Sequence, residues 1–318
     1  MSEERPTATV GIVTYGRPQY MARLLESLLD QTYFPDEIVV VDDSHAGPTR
    51  EAVEDRASAF ERRGTTLRYL PRSGPASMPG ARNTVIDCSE SDIVCFLDDD
   101  VVCEPEWFES ILQGFEENPG MAAVGGPAIS VDEDLEPLRE IVHHPENQNH
   151  VDGYGGTTSR VKDWIPPAPV ETDRLGGANM AFRRETLVSI GGFDLAYDRG
   201  PAKFEETDVM ARLTREGHRL LYHPGALVHH FEARAGGSRT GMTRADLEGE
   251  YWFARNYVLF RRKNAIVPFW LSVVRLIVLG FSPGQVCHLV GALLDRDPGP
   301  LYRLRGYVDG IVLDSLLR

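Results

Sequence analysis

Two apolar runs, TATVGIV (7–13) and EIVVV (37–41), flank a segment, PQYMARLLESLLD, that opens on Pro18 and sets Met21, Leu24, Leu25, Leu28 and Leu29 at helical spacing. Proline at a first helical position followed by an apolar stripe of period 3.6 reads as a helix, and the β-branched runs beside it read as strands. Strands separated by a whole helix pair in parallel through a right-handed crossover, since no hairpin turn joins them. This unit constrains everything after it, because a parallel sheet must be covered on both faces. The chain supplies the cover. A weaker helix is expected over 48–63, a strand over 66–70, a helix near 80–88 and a strand over 92–97. A helix over 105–117 then places Trp107, Phe108, Ile111, Leu112 and Phe115 on one face, and a strand-like MAAVGG follows at 121–126. The alternation predicts an α/β fold with a mostly parallel sheet flanked by helices.

Past residue 126 the period is lost. Residues 127–175 are rich in Pro, Gly, His and Asn, the composition of a long functional or mobile loop. Helices are expected again over 183–191 and about 206–217, with a strand-like stretch over 219–229.

Charge divides the chain. The whole sequence carries −15, which argues against a nucleic-acid partner, yet residues 251–318 alone carry +5 and residues 1–250 carry −20. A domain boundary is therefore expected near 250, between an α/β domain (1–250) and a basic, apolar helical appendage (251–318). From Ala265 to Leu294 only Arg275 is charged, but that arginine and the Ser282-Pro283-Gly284 break leave no clean membrane span. Amphipathic segments lying on an anionic membrane surface fit this pattern better. The basic residues are 30 Arg and 3 Lys, which together with the acidic excess gives a halophile-like composition. The four cysteines form no C-x-x-C pair and the N-terminus has no apolar signal region, so a reducing, cytoplasmic setting is expected.

Acids gather where the sheet predicts a site. Asp42 and Asp43 end one strand and Asp98, Asp99 and Asp100 end another; in an open parallel sheet, ligands bind outside the carboxyl ends of the strands. One acid could cap the next helix, but three crowded carboxylates call for a cation. Alternate residues leave a strand on the same side, so Asp98 and Asp100 are expected to hold one Mg²⁺ or Mn²⁺, which in turn holds phosphate.

The motifs VGIVTYGRP, IVVVDDS, PGARNTVI, FLDDDV, GGANMAFRRETLVSIGGFD, FEETDVMARL and a late HH, in this order over about 1–235, resemble family 2 glycosyltransferases of the GT-A fold. The resemblance implies an inverting transferase that uses a nucleotide-sugar donor, typically a UDP-sugar. It assigns Thr14, Tyr15, Arg17, Asp43, Arg82, Asn83 and Asp99 to the nucleotide and donor, with Gly16 standing where Asn is common. Asp98 and Asp100 become the D-x-D metal site, joined by His229 and His230 on the metal or diphosphate. Gly176, Gly177, Asn179 and Glu205 would line the acceptor side, and Arg234 or Arg239 would close over the diphosphate. The catalytic base would be Glu206, with Asp208 as its rival, since Glu replaces the family's usual Asp. With membrane contact, the acceptor is expected to be linked to a polyprenyl or dolichyl phosphate, in surface-glycan assembly or protein N-glycosylation at the cytoplasmic face of the cell membrane. Two other readings are a sugar nucleotidyltransferase and a non-catalytic glycan- or membrane-binding relative. The first lacks its Gly-rich, Lys-containing loop here, and the second would not need both acidic centres.

Overall fold

The computed structural model describes residues 5–44, 47–146, 149–151, 157–158, 163–198, 203–233 and 247–264, together with Arg305. Strand β1 (Ala8–Thr14), helix α1 (Pro18–Leu29) and strand β2 (Glu37–Asp42) form the expected crossover unit, with Thr9 opposite Glu37 and Thr14 opposite Asp42. Helix α2 (Gly47–Glu61), strand β3 (Thr66–Pro71), helix α3 (Met78–Cys88) and strand β4 (Ile93–Asp98) extend it, β3 outside β2 and β4 on the far side of β1, all parallel. Successive residues of β2 face opposite ways: Ile38 and Val40 pack with Ile12, Leu24 and Phe108, while Val39 and Val41 pack with Val85, Phe96 and Phe182. The sheet therefore has a core on each face, as its near-continuous apolar strands require.

The middle of the chain departs from expectation. Strand β5 (Val101–Cys103), helix α4 (Trp107–Glu117) and strand β6 (Met121–Gly125) are followed by short strands β7 (Ala128–Ser130), β8 (His150–Val151), β9 (Thr157–Thr158) and β10 (Val170–Thr172), so the 127–175 stretch contains paired strands. Strand β11 (Asn179–Arg183) then runs antiparallel between β4 and β6, in the centre of the sheet. Thus only the front of LGGANMAF is loop. Helices α5 (Arg184–Ser189) and α6 (Glu205–Arg215) precede strands β12 (Arg219–Tyr222) and β13 (Val228–His230). The expected single strand over 219–229 is two, in different sheets. Among the described residues the main sheet has the order β10-β12-β6-β11-β4-β1-β2-β3, and β13 lies between β5 and β7 in a second sheet.

Helix α7 (Leu247–Asn264) crosses the charge boundary, and its Leu259 and Phe260 bury against Phe204 and Ala211 at α6. Apart from Arg305, the remainder of the appendage lies outside the described residues, as do Arg234 and Arg239. Among the described residues no helix is long and apolar enough to cross a membrane.

Candidate active site

Register brings the acids together. Asp98 ends β4 opposite Val13, and Thr14 ends β1 opposite Asp42, so all four residues lie at the carboxyl edge of the sheet. After Asp98 the chain turns through Asp99 and Asp100 into β5, and Arg17 pairs with both acids of the turn. Asp99 accepts from the Thr14 hydroxyl at 2.7 Å and from Arg17 at 2.8 Å, and is buried. It is thus tied to the β1–α1 turn. Thr14 spends its hydroxyl on that bond, and Arg17 also donates to the Ala233 carbonyl at 2.7 Å and pairs with Asp100 at 3.1 Å. Arg17 therefore acts from inside, as counter-ion to the acids. Tyr15 is half-buried at the same turn. Gly16 has φ +67°, a left-handed conformation that Gly and Asn both tolerate, which explains the exchange of one for the other here.

Asp98, Asp100 and His230 converge, with one ligating atom from each lying within 4.8 Å of the others. Two carboxylates and an imidazole form a donor set suited to Mn²⁺ or Mg²⁺. Asp98 is the open member, with its side chain 26 % exposed; Asp100 and His230 are buried, 3.2 Å apart at Oδ1 and Nε2. Burial raises the Asp100 pKa, but His230, Arg17 and the Ala233 N–H (2.8 Å) more than offset it and hold the carboxyl below its ordinary range. Burial and the Asp100 charge push Asp99 up to about 7. His229 is not part of this group. It faces the other side of β13 and bonds Glu104 at 2.6 Å, as neighbours on a strand must diverge.

Arg82 links this centre to α6. Buried on α3, it donates to Asp98 at 3.4 Å, to Glu205 at 3.1 Å and to the Gly177 carbonyl at 3.1 Å. Gly177 allows the approach: a Cβ there would meet Arg82 at 3.2 Å and Glu206 Cγ at 3.5 Å. Glu206 is 15 % exposed and accepts from Arg174 at 3.3 Å and from the Thr207 hydroxyl at 3.0 Å. Burial raises its pKa, but Arg174 and then Arg82 pull it below the usual carboxylate value. The two residues the sequence reading missed here are Arg174 and Arg72; no motif marks them among so many arginines.

Several expected site residues serve the framework instead. Asp208 has no exposed surface and is taken up by Tyr197, Arg212, Lys263 and Asn264. It therefore faces α7, and an acceptor has no route to it. Asn83 exchanges both hydrogen bonds with the Phe193 backbone. Asn179 accepts from the Trp107 indole at 2.9 Å and donates to the Ala226 and Pro127 carbonyls at 2.7 and 3.2 Å, which fixes the sheet behind the site. Asp43 is held by Arg72 at 2.5 and 2.8 Å and by the Ser77 N–H at 2.7 Å, organising the loop before α3. Gly176 bridges to Asn179 as the chain enters β11.

Glu205 provides a pH test. Its Oε1 meets Arg82 while Oε2 is buried with no partner among the described residues, and burial together with the Glu206 charge pushes its pKa from 4.5 up to about 7. Between those values folding takes up a proton, so stability falls as pH rises through the window and levels off above it. Glu205→Gln removes the titration. In thermal melts from acid to neutral pH, the variant should gain on the parent up to about 7 and then run parallel. Parallel curves throughout would mean that Glu205 is ionised in the fold.

Comparison with known proteins agrees with this architecture. Residues 9–173, more than half of the chain, match the profile of "Glycosyl transferase family 2". A glucosyl-dolichyl phosphate glucuronosyltransferase of Haloferax volcanii is 26% identical over 239 residues, covering 71% of this chain and 70% of that protein. A pre-mycofactocin glycosyltransferase of Mycobacterium tuberculosis is 31% identical over 198 residues, covering 61% of this chain and 37% of that protein. Among solved structures, S. aureus TarS 1–349 in complex with UDP-GlcNAc superposes with a TM-score of 0.63 at 17% identity, covering 96% of this chain and 81% of that one. GalNAc-T7 with UDP, GalNAc and Mn²⁺ superposes at 0.62 and 16% identity, covering 86% of this chain and 54% of that one. The fold is GT-A, and the chain belongs to glycosyl transferase family 2.

Proposed function

We propose that this glycosyltransferase moves a hexosyl or uronosyl group from a UDP-sugar, with inversion, to an acceptor linked to a polyprenyl or dolichyl phosphate. The observation that carries the reading is the Arg82 bridge, in which one side chain bonds both Asp98 of the Asp98–Asp100–His230 cluster and Glu205, the neighbour of Glu206, at the start of α6. The Haloferax relative supports a lipid-phosphate acceptor and a uronosyl donor, and the neighbours bound to UDP and Mn²⁺ support nucleotide and cation. A place at the cytoplasmic membrane face, in surface-glycan assembly or N-glycosylation, follows from such an acceptor and the basic 251–318 region.

In this reading Asp98, Asp100 and His230 hold a divalent cation, which when bound neutralises charge on a departing diphosphate. Arg82 bonds Asp98 at 3.4 Å and Glu205 at 3.1 Å, and so ties the cluster to the start of α6. Glu206 takes the proton of the acceptor hydroxyl as its oxygen bonds the anomeric carbon and the bond from that carbon to the phosphate oxygen breaks. Arg174 holds that carboxylate in place and ionised. Calorimetric titration of UDP, GDP and CDP, each with Mn²⁺, with Mg²⁺ and with chelator, tests the donor half. UDP binding that requires the metal is expected. Transfer from the UDP-sugars so identified to polyprenyl-phosphate glycans then tests the acceptor. No metal-dependent binding of any nucleotide would sink the proposal.

A further inference from the structure

We infer that helix α7 is a positioning element for the first turn of α6, gripping it through Phe204 and Lys263; the consequence for turnover rests on the reading of Glu206 as the base. Phe204 immediately precedes Glu205 and Glu206, and its φ is +73° with ψ −1°, left-handed. A bulky residue rarely stays there unless its surroundings over-determine it, and the bias against it is about tenfold in population. The surroundings come from α7. The Phe204 ring lies 5.4 Å from Phe253, 5.5 Å from Tyr257 and 5.6 Å from Phe260, centroid to centroid. Those three positions are spaced i, i+4, i+7 and share one helix face.

Phe204 also sets where α6 begins. Its carbonyl accepts from the Asp208 N–H at 2.8 Å, and it offers no side-chain cap. The direction in which Glu205 and Glu206 leave the helix start is thus fixed by a backbone conformation that α7 holds from outside.

The second grip lies one turn on. Lys263 of α7 pairs with Asp208 at 2.9 Å and with Asp194, while Asn264 donates to Asp208 at 2.9 Å. Asp194 accepts from the Ala196 N–H at 2.7 Å, so Lys263 ties α6 to the 194–197 turn, with its ammonium 5.1 Å from the Tyr197 ring. In a chain with 30 Arg and 3 Lys, the position between two carboxylates carries a lysine, whose compact ammonium bonds in several directions. The Lys263 carbonyl in turn accepts from Arg215 at 3.0 Å, at the other end of α6.

Glycine separates positioning from simple burial. It adopts φ near +73° without strain, whereas alanine keeps the strain and loses the ring. The test compares Phe204→Ala, Phe204→Gly and Lys263→Met in the 318-residue chain. The readouts are amide hydrogen exchange of residues 204–209, UDP affinity with Mn²⁺, and turnover of the UDP-sugar the wild type uses. For Phe204→Ala and Lys263→Met, exchange should rise and turnover fall about tenfold, with UDP affinity unchanged; Phe204→Gly should recover part of both. Glycine no better than alanine, or exchange unchanged in all three variants, would overturn the proposal. Altered exchange with unaltered turnover overturns Glu206 as base and leaves the grip standing. A wild type without turnover sinks the functional reading, while exchange still decides the grip.

Discussion

Asp98→Asn is expected to weaken UDP binding in the presence of Mn²⁺ by about 100-fold or more, and to leave the weak binding measured with chelator unchanged. The argument rests on what each acid is attached to. Asp98 is the least enclosed of the three, and among the described residues its carboxylate meets Arg82 at 3.4 Å, so asparagine costs the fold little while removing an anionic ligand. Asp100 is a poorer choice for the test. It also holds Arg17, His230 and the Ala233 N–H, so losing it disturbs the 230–233 segment along with any ion. Asp99→Asn supplies the control. It alters the adjacent acid, whose carboxyl is buried and engaged by Thr14 and Arg17. An asparagine there can still accept from Arg17 and donate to the threonine hydroxyl. If metal-dependent binding survives in Asp99→Asn and is lost in Asp98→Asn, ligation by Asp98 is the cause. Equal losses would mean that Asp98 has no ligand role distinct from its neighbour's.

Strands β1, β2 and β4 were legible as apolar, β-rich runs, and the acids that end β2 and β4 located the site. Period two also separates His229 from His230 on β13, a step the motif resemblance obscured by treating adjacent residues as partners. Strand β11 was hidden for another reason. Gly176 and Gly177 carry a loop signal into a segment whose pairing with β4 and β6 is entirely non-local. Asn179, inside that strand, looked like an acceptor contact but is buried by three hydrogen bonds to distant parts of the chain. Nor could local pattern show that α7 reaches back to α6, because that contact joins segments far apart in the sequence. Phe204 gave no warning either, since phenylalanine is not a residue from which a left-handed turn is read.

Glu206→Gln is expected to lower turnover by about 10²–10⁴-fold while UDP affinity with Mn²⁺ stays within about a factor of two, since the amide cannot take a proton but fills the same space. Three acids in the first turn of α6 compete for the role. Asp208 is excluded by burial among four partners, and its asparagine variant should lose stability rather than turnover alone. Glu205, pushed up to about 7, has a proton affinity better matched to a base at neutral pH, yet it is 5 % exposed and turned onto Arg82. Glu206 is more exposed and ionised, but Arg174 makes it the weaker base. Access outweighs basicity here, because a base must first reach the acceptor hydroxyl, whereas a carboxylate of lowered pKa still gains affinity for a proton as the hydroxyl begins to bond to carbon. The Glu205→Gln variant decides between them. A modest loss there beside a large one at Glu206 makes Glu206 the base, with Glu205 the counter-charge of Arg82. The reverse pattern would make Glu205 the proton acceptor and reduce Glu206 to the residue that keeps it partly protonated.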